Sequence, residues 1–256
     1  MTVTTTSTSS TRAWPAWLVL AIAEIRLIIR NRTFLLTALT FPVGLGWAVL
    51  FMGPGPSTEA AGLTAAVQLG IMLSFTIFMG STMTLAARRQ QLYLQRLRSS
   101  PASTAAIVVG LIAPLAAVVL VQSGLVLGAT AAGVSTPQRP VLLIAALALG
   151  VVTCASLGFL TAAFTKTSES AQVTTAPGFG LFFGGLLWVA FTPSAELTWY
   201  QLAIPGGAVT ELTRLGWDGS TVGASPVLAV GLVASLAVTI GLALVAARTF
   251  SWQPRK

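Results

Sequence analysis

At 256 residues the chain is long enough for one or two soluble domains, but 55% hydrophobic against 8% charged residues, with a mean hydropathy of +0.86, excludes the soluble class and gives an integral membrane protein. A net charge of +8 raises nucleic acid as a partner, yet the basic residues sit at the ends of apolar runs rather than along one face, so membrane topology accounts for them and no nucleic acid is expected. There is no histidine, which removes His-based triads, HExxH zinc sites and haem ligation by His, and the single Cys154 can form neither an intrachain disulfide nor a thiolate metal site.

Residues 1–13, rich in Thr and Ser without apolar periodicity, read as a disordered tail, and 14–256 as a single all-α transmembrane domain. Leu18, Ile22, Ile25 and Ile29 recur at helical spacing, with Arg26 and Arg30 on an adjoining face. This predicts an interfacial helix over 14–32. A signal peptide is the competing reading, since Arg12 precedes a short apolar run and Ala21-Ile22-Ala23 imitates a cleavage site; the cluster Arg26, Arg30, Arg32 directly after it argues against translocation.

Six apolar runs follow, at about 34–53, 63–87, 105–133, 141–164, 171–191 and 224–247, each near or above the ~20 residues that a span requires. With an even number of spans both termini share one side. On that side fall Arg12, Arg26, Arg30 and Arg32, then Arg88, Arg89, Arg96 and Arg98, then Lys166, and finally Arg248, Arg255 and Lys256; only Arg139 and Arg214 fall on the other. The bias places both termini, and the basic segment between the second and third spans, in the cytoplasm. Pro42, Pro114 and Pro177 interrupt the first, third and fifth spans, as mobile bends or as the static kinks common in membrane helices.

Between the second and third spans lies the basic segment 88–101. A charged residue costs about 2.5 to 3.5 kcal/mol at a helix centre, so four arginines together stay outside the hydrocarbon. At 100° per residue Arg88, Arg89 and Arg96 share one face of a helix, with Tyr93, Leu94 and Leu97 opposite; Leu92 and Arg98 break the pattern. A short amphipathic helix ending at Ser99-Ser100-Pro101 can touch a soluble partner and pull on both spans. Residues 192–223, holding Pro205, Glu211 and Arg214 among interfacial aromatics, predict two short helices broken at Pro205-Gly206-Gly207 on the external side.

None of the six acidic residues sits mid-span, so no carboxylate is placed to carry a coupling ion. Neither Lys166 nor Lys256 follows the glycine pattern of a phosphate-binding loop, so if the chain moves a solute uphill the work is expected from elsewhere, most simply from a nucleotide-hydrolysing partner. Met72, Phe75, Met79 and Met83 in the second span, and Phe179, Phe182 and Phe183 in the fifth, recur at helical spacing. They form either a soft cavity for greasy compounds or ordinary packing. Gly180 and Gly184 make a GxxxG pattern that suits close helix contact, across a dimer or within a subunit. Asn31-Arg32-Thr33 matches a glycosylation acceptor on the wrong side, and Lys166-Thr167-Ser168-Glu169 is a solvated turn or a second contact with a cytoplasmic partner.

Three segments in this order resemble the ABC-2 type permeases, particularly the membrane subunits of bacterial daunorubicin-type antibiotic exporters. Leu94-Gln95-Arg96-Leu97-Arg98-Ser99-Ser100-Pro101 is similar to their cytoplasmic Leu-Glu-Arg-Leu-Arg-x-x-Pro segment; Thr165 to Ala171 is similar to their loop between spans four and five; Pro205 with Arg214 nine residues later resembles their external segment. The resemblance implies a connecting helix near 14–32, a coupling helix near 88–100 bearing Arg89, Tyr93, Arg96, Leu97, Arg98 and Pro101, and an external re-entrant region before the last span. It further implies a homo- or heterodimer of permeases with two ABC ATP-binding subunits, which hold ATP and Mg²⁺; this chain is itself no enzyme and has no cofactor. Gln90 and Gln95 stand where the family usually has acidic residues, so a salt bridge from those positions does not carry over. The expected function is the permease of an ATP-driven exporter of hydrophobic drugs or antibiotics. The alternatives are export of a lipid-linked polysaccharide or peptide by the same machinery, and a non-transporting scaffold or sensor; a membrane enzyme is disfavoured by the missing histidine and mid-span acids.

Overall fold

The computed structural model describes residues 15–30, 40–52, 60–99, 102–167, 169–219 and 226–250, the side chains of Met52, Gln95 and Arg98 excepted. Every regular element among these residues is a helix. Lipid dictates as much, because it offers backbone N–H and C=O groups no partner and a helix pairs them within one segment.

In chain order the helices are α1 (Ala16–Arg30), α2 (Phe41–Met52), α3 (Ala61–Met72), α4 (Gly80–Gln90), α5 (Tyr93–Arg98), α6 (Thr104–Gly133), α7 (Pro140–Phe164), α8 (Ala171–Thr174), α9 (Ala176–Ala190), α10 (Trp199–Ala203), α11 (Gly207–Asp218) and α12 (Pro226–Thr249). A π-helical stretch, Leu73–Met79, joins α3 to α4 without a break. Among the described residues five helices are long and apolar enough to cross a membrane: Ala61–Gln90, Thr104–Gly133, Pro140–Phe164, Ala171–Ala190 and Pro226–Thr249. At 1.5 Å per residue the 25 residues of α7 cover about 37 Å, more than the ~30 Å of a hydrocarbon core. The sixth expected span, 34–53, is represented by α2, which at 12 residues is shorter than a span; positions 34–39 and 53 lie outside the described residues.

Burial ranks the spans. In the most apolar part of Ala61–Gln90, 78% of residues are buried, against 17% in α12, so the first is the central post and the second a peripheral stave. Around the post Leu69, Met72, Leu73, Ile77 and Phe78 meet Leu115 and Val119 of α6, Cys154 and Leu157 of α7, Phe182 and Leu186 of α9, and Val209 and Leu212 of α11 in one core. Of the expected proline bends, Pro114 lies buried within an α6 that continues past it, Pro177 lies in the first turn of α9 just after the turn at Thr175, and Pro42 lies in the first turn of α2.

The 192–223 region does form two short helices parted at Ile204-Pro205-Gly206, where Gly206 has φ 94°. Its second helix is not a surface element. All of α11 from Gly207 to Thr213, and Leu215 to Trp217, is buried against the α3, α7 and α9 helices. The hydroxyls of Thr210 and Thr213 donate to the carbonyls of Gly206 and Val209 one turn back, so both threonines enter the core with their polar groups satisfied.

Candidate functional site

One end of the bundle gathers the basic segment. The post runs on through Arg88 and Arg89 to Gln90, turns at Gln91 and Leu92, and resumes as α5. Leu92 sits at φ 57°, a left-handed conformation that a branched side chain rarely adopts, so the turn is held by its surroundings. The expected helix over 88–100 is therefore two pieces. Only Tyr93 to Arg98 form the separate helix, while Arg88 and Arg89 belong to the post.

That division gives the arginines different work. Arg88 Nη2 donates to Glu24 Oε2 of α1 at 2.7 Å, its Nη1 donates to Gln91 Oε1 at 3.2 Å, and its guanidinium lies 5.4 Å from the centre of the Tyr93 ring. Burial, and to a lesser degree the Glu24 carboxylate, raise the Tyr93 hydroxyl above its ordinary pKa against the opposing pull of Arg88. Arg89, expected on the partner-facing side, is 1% exposed; it donates to the Thr165 carbonyl at the end of α7 and lies 5.9 Å from the Phe250 ring centre. The reason is rotational: adjacent residues differ by 100° around a helix, so one arginine faces α1 and the next faces the bundle axis.

Arg96 of α5 is exposed, Tyr93 and Leu97 are half-buried, and Leu94 is fully buried. Leu94 packs with Leu20, Leu85, Ile107, Leu111, Ala162, Ala163 and Phe250, so this small helix touches a cluster drawn from α1, α4, α6, α7 and the residue after α12. The Arg98 side chain and Pro101 lie outside the described residues. Arg26 and Arg30 of α1 are exposed. The second family-like segment follows directly: Thr167 and Ser170 exchange backbone-to-side-chain hydrogen bonds at 3.0 and 3.1 Å, Thr165 and Thr174 pair their hydroxyls at 2.8 Å, and Lys166 and Glu169 are exposed.

The candidate cavity residues divide. Met72 and Phe182 are fully buried members of the core and fill space rather than line it. Phe75, Met79, Met83, Phe179 and Phe183 are half-buried. Phe75 meets Phe41 of α2 edge-on at 5.1 Å and Phe179 of α9 at 4.9 Å, and Phe179 stacks on Phe183 at 5.3 Å, so a strip of rings crosses from α2 to α9 over the π stretch. Gly180 and Gly184 are exposed and an added Cβ at either meets nothing, so their GxxxG makes no close contact within the described chain.

Sequence reading passed over a polar spine inside the membrane. Thr130 donates to Gln68 Oε1 at 2.9 Å and Thr76 donates to Gln122 Oε1 at 2.7 Å, while Gln68 Nε2 donates to the Gly46 carbonyl of α2 at 3.0 Å. The signal was present: Gln68 and Thr76 lie eight residues apart, as do Gln122 and Thr130, which sets two rungs about 12 Å apart between antiparallel helices.

At the opposite end α11 is fastened by its own polar groups. Arg214 donates to the carbonyls of Val189 and Thr192, both at 3.0 Å, closing the C-terminus of α9, and lies 3.6 Å from Glu211. Ser194 donates to Glu211 at 3.3 Å. Asp218 accepts from the Gly62 N–H at the start of α3, and the Trp217 indole donates to Ser135, both at 3.0 Å. Burial raises the pKa values of Glu211 and Asp218 above the ordinary carboxylate range, with Arg214 opposing both. Pro205, at the break, brings its carbonyl against Gly185 of α9.

Long apolar helices around an enclosed polar spine define a multi-pass membrane protein. The family model for ABC-2 family transporter proteins matches residues 33–248, and the chain belongs to that family. It is thus a membrane permease of an ABC transporter, of a kind that normally works with an ABC ATP-binding subunit and points to a non-catalytic membrane component. No curated protein and no solved structure matches the chain.

Proposed function

We propose that this permease exports hydrophobic drugs or antibiotics from a bacterial cell, as one of two permease subunits driven by two ATP-binding subunits that carry ATP and Mg²⁺. The basic end faces the cytoplasm in this reading, supported by the twelve-to-two distribution of Lys and Arg across the spans. The observation that carries the coupling role is α5 itself: Arg96 is exposed on a helix whose Leu94 is embedded in a cluster contributed by four other helices. A push on that helix moves α1, α4, α6 and α7 together, because packed side chains shift as units. Closure of the ATP-binding subunits biases the permease between two arrangements, and the half-buried rings from Phe75 to Phe183 offer greasy cargo an adaptable wall between two copies.

The test is the pair Arg96→Glu and Arg98→Glu. Membrane insertion is expected to be unchanged while co-purification of the ATP-binding subunit and transport are both lost; normal co-purification overturns the coupling role. Stimulation of ATP hydrolysis in proteoliposomes by hydrophobic antibiotics supports the cargo, and stimulation only by a polyprenyl-linked glycan or a peptide reassigns it.

A further inference from the structure

Two clefts at the end remote from Arg89 meet at one side chain. The first, about 520 Å³, is lined by Val141 and Leu142 of α7, Leu212 and Leu215 of α11, and Leu228 and Leu232 of α12, with Arg139 at its mouth. The second, an open cleft of about 820 Å³, is polar, lined by Ser135, Thr136, Gln138, Trp217 and Asp218, and again by Arg139. Both volumes fall within the ~300 to 1,000 Å³ of small-ligand sites. We infer that this pair of clefts binds a membrane glycerophospholipid, with its phosphate at Arg139, its polar headgroup in the second cleft and an acyl chain in the first.

Depth supports a lipid. Arg139 immediately precedes α7, whose far end reaches the Arg89 partner Thr165, so it stands at one face of the bilayer. Leu142 lies three residues into the membrane from it, and Leu232 six residues from the start of α12, depths of about 5 and 9 Å that suit the first part of an acyl chain. Charge supports a phosphate. Arg139 is exposed, has no carboxylate within ion-pair distance among the described residues, and its long stem can lie along apolar surface with the guanidinium at headgroup level. The one acid in the polar cleft, Asp218, is engaged with the Gly62 N–H.

The site is also rigid. The backbone N–H groups of Gln138 and Arg139 donate to the carbonyls of Trp217 and Gly216 at 3.1 and 2.8 Å, and Trp217 ties back to Ser135, so the loop before α7 is stapled to the end of α11. A preformed site spends little on ordering when a ligand arrives.

The experiment is photolabelling of the purified permease in nanodiscs doped with a phosphatidylglycerol that carries a diazirine in its acyl chain, followed by peptide mapping; it needs neither cargo nor ATP-binding subunit, so it stands apart from the export reading. Adducts are expected to concentrate at 141–142 and 228–232. Arg139→Gln should reduce them about fivefold, as expected for one cation near a headgroup, with Arg139→Lys retaining most of the signal. Leu232→Trp, which fills the groove and leaves the charge, should reduce them comparably, and inorganic phosphate should not compete. Labelling spread evenly over the spans, or concentrated labelling that Arg139→Gln leaves unchanged, overturns the inference, as does competition by inorganic phosphate.

Discussion

The two ends of this permease use arginine in opposite ways. At the basic end Arg88 links α4 to α1 through Glu24, while Arg89 links it to the end of α7, and α5, with Leu94 buried and Arg96 exposed, follows the same turn through a left-handed Leu92. At the other end Arg214 closes backbone carbonyls of α9, and α11 is buried and stapled to α3, α7 and α9. One end joins separate helices through a few long side chains, Arg88, Arg89 and Leu94, with Arg96 exposed beside them. The other is a cap in which the polar groups of one buried helix are satisfied by the elements packed around it.

The comparison breaks most sharply at Gly206. Its φ of 94° and the Phe182 carbonyl, with which an added Cβ would collide, leave no room for Gly206→Ala. We expect a loss on the order of 3 kcal/mol or more, read as aggregation in size-exclusion chromatography and a lowered melting temperature. Next is Arg214→Ala, which frees two carbonyls and leaves Glu211 buried without its cation; a loss of about 2 to 4 kcal/mol is expected, and its partial recovery in Arg214→Ala with Glu211→Gln would tie the cost to the stranded carboxylate. At the basic end the analogous Arg88→Ala strands the buried Glu24 but frees no backbone carbonyl, so it should cost less, about 1 to 2 kcal/mol, yet reduce ATP-driven transport several-fold. Equal stability losses for Arg88 and Arg214 would erase the contrast between the ends.

The smallest effect is on pH. Glu211 and Asp218 have folded pKa values above those of the unfolded chain, so the folded cap binds protons more readily. Stability of the cap is then fullest below the ordinary carboxylate range and declines as pH rises through the raised values. Melting curves from pH 4 to 7 should show that slope, and Glu211→Gln should flatten it.

The long spans were legible because a run of apolar residues longer than the bilayer has few other fates. The break at Pro205-Gly206 was legible for a local reason too, since those residues punctuate any helix. The burial of α11 was not, because its threonines read as polar until one sees them bonded to their own helix. Nor were the separate fates of Arg88 and Arg89. A helical wheel assigns angles, but which neighbour stands at each angle is a tertiary fact, and Thr165 lies 76 residues away. The polar rungs Gln68–Thr130 and Thr76–Gln122 occupy a middle position: equal spacing on two spans hinted at them, and only the packing paired them.

The most direct measurement is amide hydrogen exchange of the permease in nanodiscs, with and without its ATP-binding subunit and ATP. Added protection is expected in α1 and α5, over residues 16–30 and 93–98, with exchange in α11 unchanged. Protection appearing over 199–218 while 93–98 exchanges as before would contradict that expectation.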